Sequence, residues 1–163
     1  MAYTGEIITS PQNKYVSLAR SLSERKQRQK SSLYRFDGIK LMCEAAKKGA
    51  SIDFLLIRES SYDAVSDRAK TLYSLDVESL SCRIGAVSDT VFDKISEENA
   101  PEGVITVAKY DSEIHREPDA DELAGADGEK ILLLESVRDP QNVGAILRSA
   151  AAFSVDRVIM GKD

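Results

Sequence analysis

Apolar runs alternate with helical patterns along the first 109 residues, which predicts a small α/β domain. Residues 52–57 form a nearly continuous apolar run, typical of a strand buried within a sheet. Shorter strands are predicted at residues 34–36, 83–87 and 103–107. Helices are predicted at residues 38–48, ending at Gly49, at 60–73 after a serine cap, and at 88–95. Strands that alternate with helices of this length favour a mainly parallel sheet.

The N-terminal part predicts one further helix and a polar stretch. Ser10 is suited to the N-cap and Pro11 to the first helical position. Apolar residues then recur at helical spacing through Leu22. The following stretch, Glu24–Lys30, is too polar to bury and is interpreted as turn-rich.

The C-terminal part predicts a strand–loop–helix–strand unit. Residues 131–134 are an apolar run of strand length, and residues 158–160 resemble a second strand. Between them a polar loop leads to a helix beginning near Val143, with Asn142 as its expected N-cap. In open α/β sheets, ligands bind beyond the carboxyl ends of strands, where this loop is expected to lie.

Gly144 and Arg148 are spaced to share one face of that helix. Because glycine has no side chain, a phosphate or ribose could approach the guanidinium there. The alternative is that Arg148 is a solvated surface arginine and Asn142 only a cap. Spacing alone leaves both interpretations open.

The sequence Asp139-Pro140-x-Asn142-x-Gly144-x3-Arg148, followed by Ala150 and Phe153, resembles the first signature motif of the SpoU (TrmH-like) RNA 2′-O-ribose methyltransferases of the SPOUT superfamily. Ser149 stands where threonine is usual, and Ser154 where glycine is usual.

This resemblance implies a knotted SPOUT catalytic domain, S-adenosylmethionine as methyl donor and a homodimer for a complete enzyme. It also implies that Arg148 holds the target nucleotide's phosphate and helps to activate the 2′-hydroxyl, and that Asn142 shapes the same site. Glu135, in the same loop, is a weaker candidate that can equally be a solvated acid.

The first half resembles the N-terminal substrate-binding domain of many SpoU enzymes, which is similar in fold to ribosomal proteins that bind kinked RNA. The resemblance lies in Ser10-x2-Asn13, Lys26-x-Arg28, Phe36-Asp37-Gly38 and Ala100-Pro101-Glu102-Gly103-Val104. Asp37 replaces the usual glutamate of this pattern, and Glu102 the usual glutamine.

The charge distribution is asymmetric and supports a nucleic-acid partner. Residues 1–48 hold ten lysines and arginines against four acidic residues, whereas the remainder holds twelve against twenty-three. We therefore expect one face to meet a polyanion and the cations Arg25, Lys26, Arg28 and Lys30 to contact RNA phosphates. The alternative is that this basic run is a solvated helix face.

Composition excludes several other classes of protein. The 42% hydrophobic and 30% charged residues are ordinary for a soluble globular protein. No apolar run approaches the ~20 residues needed to span a membrane. Cys43 and Cys82 are isolated and are interpreted as reduced cysteines of a cytoplasmic protein, and the lone His115 makes a metal site improbable.

These observations predict residues 1–109 as an RNA substrate-binding domain, 110–130 as an acidic linker and 131–163 as the start of a SPOUT domain. The linker contains eight acidic residues and is expected to hold no packed element. No residue matches the family's cofactor motifs, so we expect no cofactor site and no activity in this chain by itself.

The expected function is methylation of a ribose 2′-hydroxyl in structured RNA, ribosomal RNA rather than transfer RNA. The alternative is a non-catalytic RNA-binding module related to ribosomal proteins, which has no need of the Asp139–Arg148 motif.

Overall fold

The computed structural model describes residues 5–110 and 117–161, which lie in two compact units divided between residues 115 and 116. We call residues 1–115 unit 1 and residues 116–163 unit 2. The division falls inside the segment predicted as a linker. Each unit is described by itself.

The described part of unit 1 is a four-stranded sheet with helices on both faces. Its strands are β1 (Leu33–Asp37), β2 (Ile52–Arg58), β3 (Arg83–Val87) and β4 (Val104–Lys109). Its helices are α1 (Lys14–Ser21), α2 (Arg25–Ser31), α3 (Ile39–Lys47), α4 (Tyr62–Tyr73) and α5 (Asp89–Phe92), with short 3-10 turns at Glu59–Ser61 and Val77–Ser79. The predicted α/β class is confirmed.

The prediction of a mainly parallel sheet is wrong. The strand order is β1-β4-β2-β3, and of the pairs in this sheet only β2 with β3 is parallel. β4 lies between β1 and β2 and runs antiparallel to both, so that Thr106 faces Phe36 on one side and Leu55 on the other. Alternating elements predict the class, but long-range strand pairing decides the order and direction.

Two apolar clusters cover the two faces of this sheet. One cluster joins α1, through Val16, Ala19 and Leu22, to Phe54 and Phe92. The other joins α3 and α4, through Met42 and other buried residues, to the opposite side of β2. Because β2 is covered on both faces, its central residues are fully buried, as its continuous apolar run predicts.

The N-terminal helices differ from the prediction. α1 begins at Lys14, and its N-cap is Asn13, whose Oδ1 accepts a hydrogen bond from the Tyr15 backbone N–H at 2.9 Å. Ser10 instead accepts a hydrogen bond from the Gln12 N–H within the preceding turn. The stretch interpreted as turn-rich is a second helix, α2, which has no buried residue.

Unit 2 contains the predicted strand–loop–helix–strand unit. β5 (Ile131–Leu134) pairs in parallel with β6 (Arg157–Met160), and α7 (Pro140–Ala152) connects them. Ser154, which follows α7 where the family usually has glycine, has a φ of 54°. That left-handed conformation favours glycine, which explains the usual residue.

The acidic segment, expected to hold no packed element, contains one short helix with no buried residue. Helix α6 (Ala120–Ala124) begins with a capping box, in which Asp119 and Glu122 accept each other's backbone N–H. Arg157 of β6 donates to the Glu122 carbonyl at 2.6 Å and pairs with the Glu129 carboxylate at 2.7 Å. Acidic residues near the strand pair therefore have structural partners in Arg157 and in the backbone.

Candidate functional sites

The polar loop after β5 leads directly into the N-terminus of α7. Asp139 is the N-cap, because its Oδ1 accepts the Gln141 N–H at 2.8 Å, and Pro140 occupies the first turn. The prediction that Asn142 is the cap is therefore wrong. Asn142 lies inside the first turn instead, with an exposed side chain. An N–H at the first helical position has no acceptor within the helix, so proline, which lacks this group, loses no hydrogen bond there. The helix can therefore begin at Pro140, three residues earlier than expected.

Arg148 and Gly144 share one face of α7, as their spacing predicts. A methyl group at Gly144 would lie 3.6 Å from Arg148 Nη1, so the guanidinium lies over the glycine. Arg148 is exposed, and among the described residues it forms no ion pair. Its charge is therefore available to an anionic group such as a phosphate.

The structure does not bring Asn142 onto the face of Arg148. They are six positions apart, which places their side chains about 120° apart around the helix axis. Gln141 is seven positions before Arg148 and lies on the same face of α7 as Arg148 and Gly144. Sequence reasoning missed Gln141, although its helical spacing was a usable signal. Glu135 is exposed in the loop after β5.

Helix α2 carries the four cations that were predicted to contact RNA. Arg25, Lys26 and Lys30 are exposed, and within the described residues none of the three forms an ion pair. Lys26 and Lys30 are four residues apart and share one face of the helix. This helix buries no residue, so its cations are available to solvent or to a polyanion.

Arg28 differs from the other three cations. Its Nη1 donates hydrogen bonds to the carbonyls of Leu22 and Ser23, at 2.8 and 2.7 Å. Those carbonyls lie at the C-terminal end of α1, where carbonyl groups lack helical partners. Arg28 therefore holds the turn between α1 and α2, a role that its place in a basic run does not predict.

The motifs around Gly38 and Glu102 meet in space. Glu102 Oε2 accepts the Ile39 N–H at the start of α3 at 2.8 Å, and Glu102 Oε1 pairs with Arg68 Nη2 of α4 at 2.7 Å. Gly103 has a φ of 91°, and a Cβ there would lie 2.5 Å from Ser61 Cβ. These motif residues thus join β4, α3 and α4.

A buried ion pair lies beside these motifs. Arg35 Nη2 contacts both carboxylate oxygens of Asp37, at 2.7 and 2.9 Å, and Arg35 Nη1 donates to the Ile95 carbonyl at 2.7 Å. The two side chains are only 4% and 8% exposed. Removing either partner would leave the other charge buried and unpaired, so this pair is structural.

Other kinds of site receive no support from the described residues. They contain no cluster of three or more potential metal ligands and no helix long and apolar enough to cross a membrane. Both cysteines are free, and burial raises the pKa of the Cys43 thiol and of the Cys82 thiol. The neighbouring Asp53 carboxylate raises the pKa of Cys82 further. Both thiols are therefore poor nucleophiles near neutral pH.

Comparison with known proteins identifies the family. Residues 13–106 match the model of the MRM3-like substrate binding domain, from the cap of α1 into β4. The chain belongs to the SpoU family of RNA methyltransferases. A relative in Bacillus subtilis, 23S rRNA (guanosine(2553)-2′-O)-methyltransferase RlmP, is 26% identical over 94% of this chain and 54% of its own length.

Another relative is 23S rRNA (guanosine-2′-O-)-methyltransferase RlmB of Shewanella oneidensis. It is 38% identical over 49% of this chain and 32% of its own length. This chain therefore spans about half of the first relative and a third of the second.

Solved structures agree with this assignment. An AdoMet-bound rRNA methyltransferase from Sinorhizobium meliloti is 25% identical, with a TM-score of 0.66 over 95% of this chain and 54% of its own. The crystal structure of an RNA 2′-O ribose methyltransferase has a TM-score of 0.69 at 23% identity, over 97% of this chain and 56% of its own, which shows a shared fold.

Proposed function

We propose that the whole protein transfers a methyl group from S-adenosylmethionine to a ribose 2′-hydroxyl of structured RNA, ribosomal RNA rather than transfer RNA. The observation that carries this proposal is the joining, in one chain, of a substrate-binding domain at residues 13–106 and helix α7 with its exposed Arg148 over Gly144. A module that only binds RNA has no need of the second feature.

Arg148 is the residue proposed to act at the reacting centre. A ribose 2′-hydroxyl is a poor acid, so its oxygen becomes a nucleophile only where developing negative charge is stabilised. A guanidinium stays positively charged at neutral pH and can bind a phosphate through two N–H groups. Arg148 would hold the target nucleotide's phosphate and lower the free energy of the charged oxygen beside it.

Asn142 is proposed to shape the same site from the adjacent face of α7. Its exposed amide lies in the first turn of α7 and can both donate and accept hydrogen bonds. Holding the ribose so that its oxygen faces the methyl carbon can supply much of the reduction in barrier.

The methyl donor supplies an electrophilic methyl group when it is bound. We assign no residue of this chain to it, because no residue of the sequence matches the cofactor motifs of the family. A homodimer and a cytoplasmic location are likewise proposals for the whole protein.

RNA binding is proposed for α2, through the exposed cations Arg25, Lys26 and Lys30. Contacts with phosphates release counterions and are independent of base sequence, which suits a helix that presents only charge. Arg28 supports this surface by holding α2 against the end of α1.

The test is transfer of a radiolabelled methyl group from S-adenosylmethionine to unmodified ribosomal RNA by the whole protein. A methyl group on the 2′-oxygen blocks alkaline cleavage at that nucleotide, so hydrolysis of the labelled RNA distinguishes ribose from base methylation. Label in an alkali-resistant dinucleotide is expected. Label on a base, or tight RNA binding without any transfer, would overturn the proposal, and the second outcome would favour the non-catalytic binding module.

A further inference from the structure

Three aromatic side chains lie together at the edge of the unit 1 sheet. The rings of Tyr34 and Phe36, on β1, are stacked with centroids 5.8 Å apart and an angle of 30°. The ring of Tyr110 lies 5.2 Å from Tyr34, tilted by 35°. We call these three residues the aromatic strip. β1 is an edge strand of the sheet, so the strip lies at its border.

The aromatic strip does not belong to the hydrophobic core. All three residues are half-buried, and none is a member of either apolar cluster or packs against one. Tyr15, Tyr62 and Tyr73, by contrast, all belong to those clusters or pack on them. Packing in the core therefore does not account for the strip.

Positive charge borders the strip on the side of α3. A hollow of about 500 Å³ beside Phe36 is lined by Leu41, Glu44, Ala45, Lys47 and Lys48, and Leu41 is 49% exposed. Glu44 is paired with Lys40 at 3.8 Å. Lys48 is exposed and forms no ion pair among the described residues.

A backbone hydrogen bond joins Tyr110 of the strip to the end of α2. The Tyr110 N–H donates to the carbonyl of Ser32 at 2.9 Å, and Ser32 is the C-cap of α2. Lys30, one of the proposed phosphate contacts, lies two residues before Ser32. Aromatic rings with cations at two borders are the combination by which proteins bind single-stranded nucleic acid.

We propose that the aromatic strip binds unpaired nucleotides of the RNA, with bases stacked on Tyr34 and Phe36 and phosphates contacted by Lys30 and Lys48. This inference rests on the proposed function and narrows its substrate to RNA with a single-stranded segment beside the structured part. A duplex buries the faces of its bases and cannot stack on these rings. The occupant is RNA because a basic surface complements its phosphates.

The experiment measures binding of the 163-residue chain to an oligouridine of roughly twelve nucleotides. The sequence has six tyrosines and no tryptophan, so stacking is read directly as quenching of tyrosine fluorescence. Replacing both strip residues on β1, Tyr34→Leu with Phe36→Leu, should weaken binding roughly tenfold or more. The matched control is the variant Tyr15→Leu. Tyr15 is also half-buried but packs on Phe54 in the core, so the affinity of this variant for oligouridine should be unchanged.

A second variant keeps the test decisive if the leucine variant does not fold. Tyr34→Phe retains an aromatic ring but removes one fluorescent tyrosine, so affinity should stay the same while quenching decreases. Unchanged quenching in Tyr34→Phe, or unchanged affinity in a folded leucine variant, would overturn the inference. Binding to ribosomal RNA without binding to oligouridine would overturn it too, yet leave the proposed function intact. Failure to bind either RNA would overturn both.

Discussion

The guanidinium of Arg148 lies over Gly144, where an added methyl group would come 3.6 Å from Nη1. Among the described residues the Arg148 side chain has no ion-pair or hydrogen-bond partner, so its removal breaks no polar interaction that the structure shows.

Arg148→Ala in the whole protein should therefore lower methyl transfer by about a hundredfold or more, because the developing charge on the 2′-oxygen loses its cation. Helix content and the unfolding midpoint should change little. Arg148→Lys is the matched variant. It keeps the positive charge but lacks the planar guanidinium that binds a phosphate through two N–H groups, so it should recover part of the rate of methyl transfer. Unfolding of the alanine variant would instead assign Arg148 a structural role.

The exposed cations of α2 should determine the salt dependence of RNA binding. Replacing Arg25, Lys26 and Lys30 with alanine should weaken binding and reduce the slope of log affinity against log salt by about 2 to 3, since each phosphate contact contributes about 0.9. Titrations with ribosomal RNA at several salt concentrations measure this slope. The control replaces Lys70 and Lys94, exposed cations elsewhere in unit 1. An unchanged slope in the α2 variant would rule out this surface.

Arg28 should behave as a structural residue. Arg28→Ala removes two charge-assisted hydrogen bonds to the carbonyls of Leu22 and Ser23, and should lower the free energy of unfolding by about 1 to 3 kcal/mol. Urea denaturation of the 163-residue chain measures the change. Arg25→Ala, on the same helix, should change stability by less than about 0.5 kcal/mol. Equal effects for the two variants would contradict the assignment.

Glu102 should stabilise unit 1 mainly as a cap of α3. Glu102→Ala removes the acceptor of the Ile39 N–H and should cost about 1 to 2 kcal/mol of unfolding free energy. Arg68→Ala removes only the ion pair; because its side chain is 51% exposed, we expect a loss below about 1 kcal/mol. A double-mutant cycle measured by urea denaturation separates the contribution of the hydrogen bond to Ile39 from that of the ion pair with Arg68. A larger loss of stability for Arg68→Ala than for Glu102→Ala would contradict this prediction.

Ser154→Gly should stabilise unit 2, because Ser154 has a φ of 54° and glycine adopts that conformation without a steric penalty. The expected gain is about 1 kcal/mol. Amide hydrogen exchange in β5 and β6 measures it locally. Ser74→Gly, at a φ of 51° in unit 1, is the control and should leave that exchange unchanged. Faster exchange in the Ser154 variant would show that the serine side chain itself contributes.

Local sequence pattern predicted those features of this protein that depend on neighbours along the chain. The apolar run of β2, the end of α3 near Gly49 and the shared face of Gly144 and Arg148 all follow from the periods of strands and helices. Caps were predicted less well. Asn13 and Asp139 displaced Ser10 and Asn142, because several polar residues near each helix start could serve and geometry chooses among them.

Only the tertiary structure decided which distant residues meet. The insertion of β4 between β1 and β2, the contact of Glu102 with α3, and the hydrogen bond that joins Tyr110 to the end of α2 connect residues more than forty positions apart. The periodicity of a segment specifies the face that it buries but not the partner that covers it. The sequence alone therefore determined most of the elements and the α7 motif, while the fold showed that α2 and α6 are helices, gave Arg28 a structural role and assembled the aromatic strip.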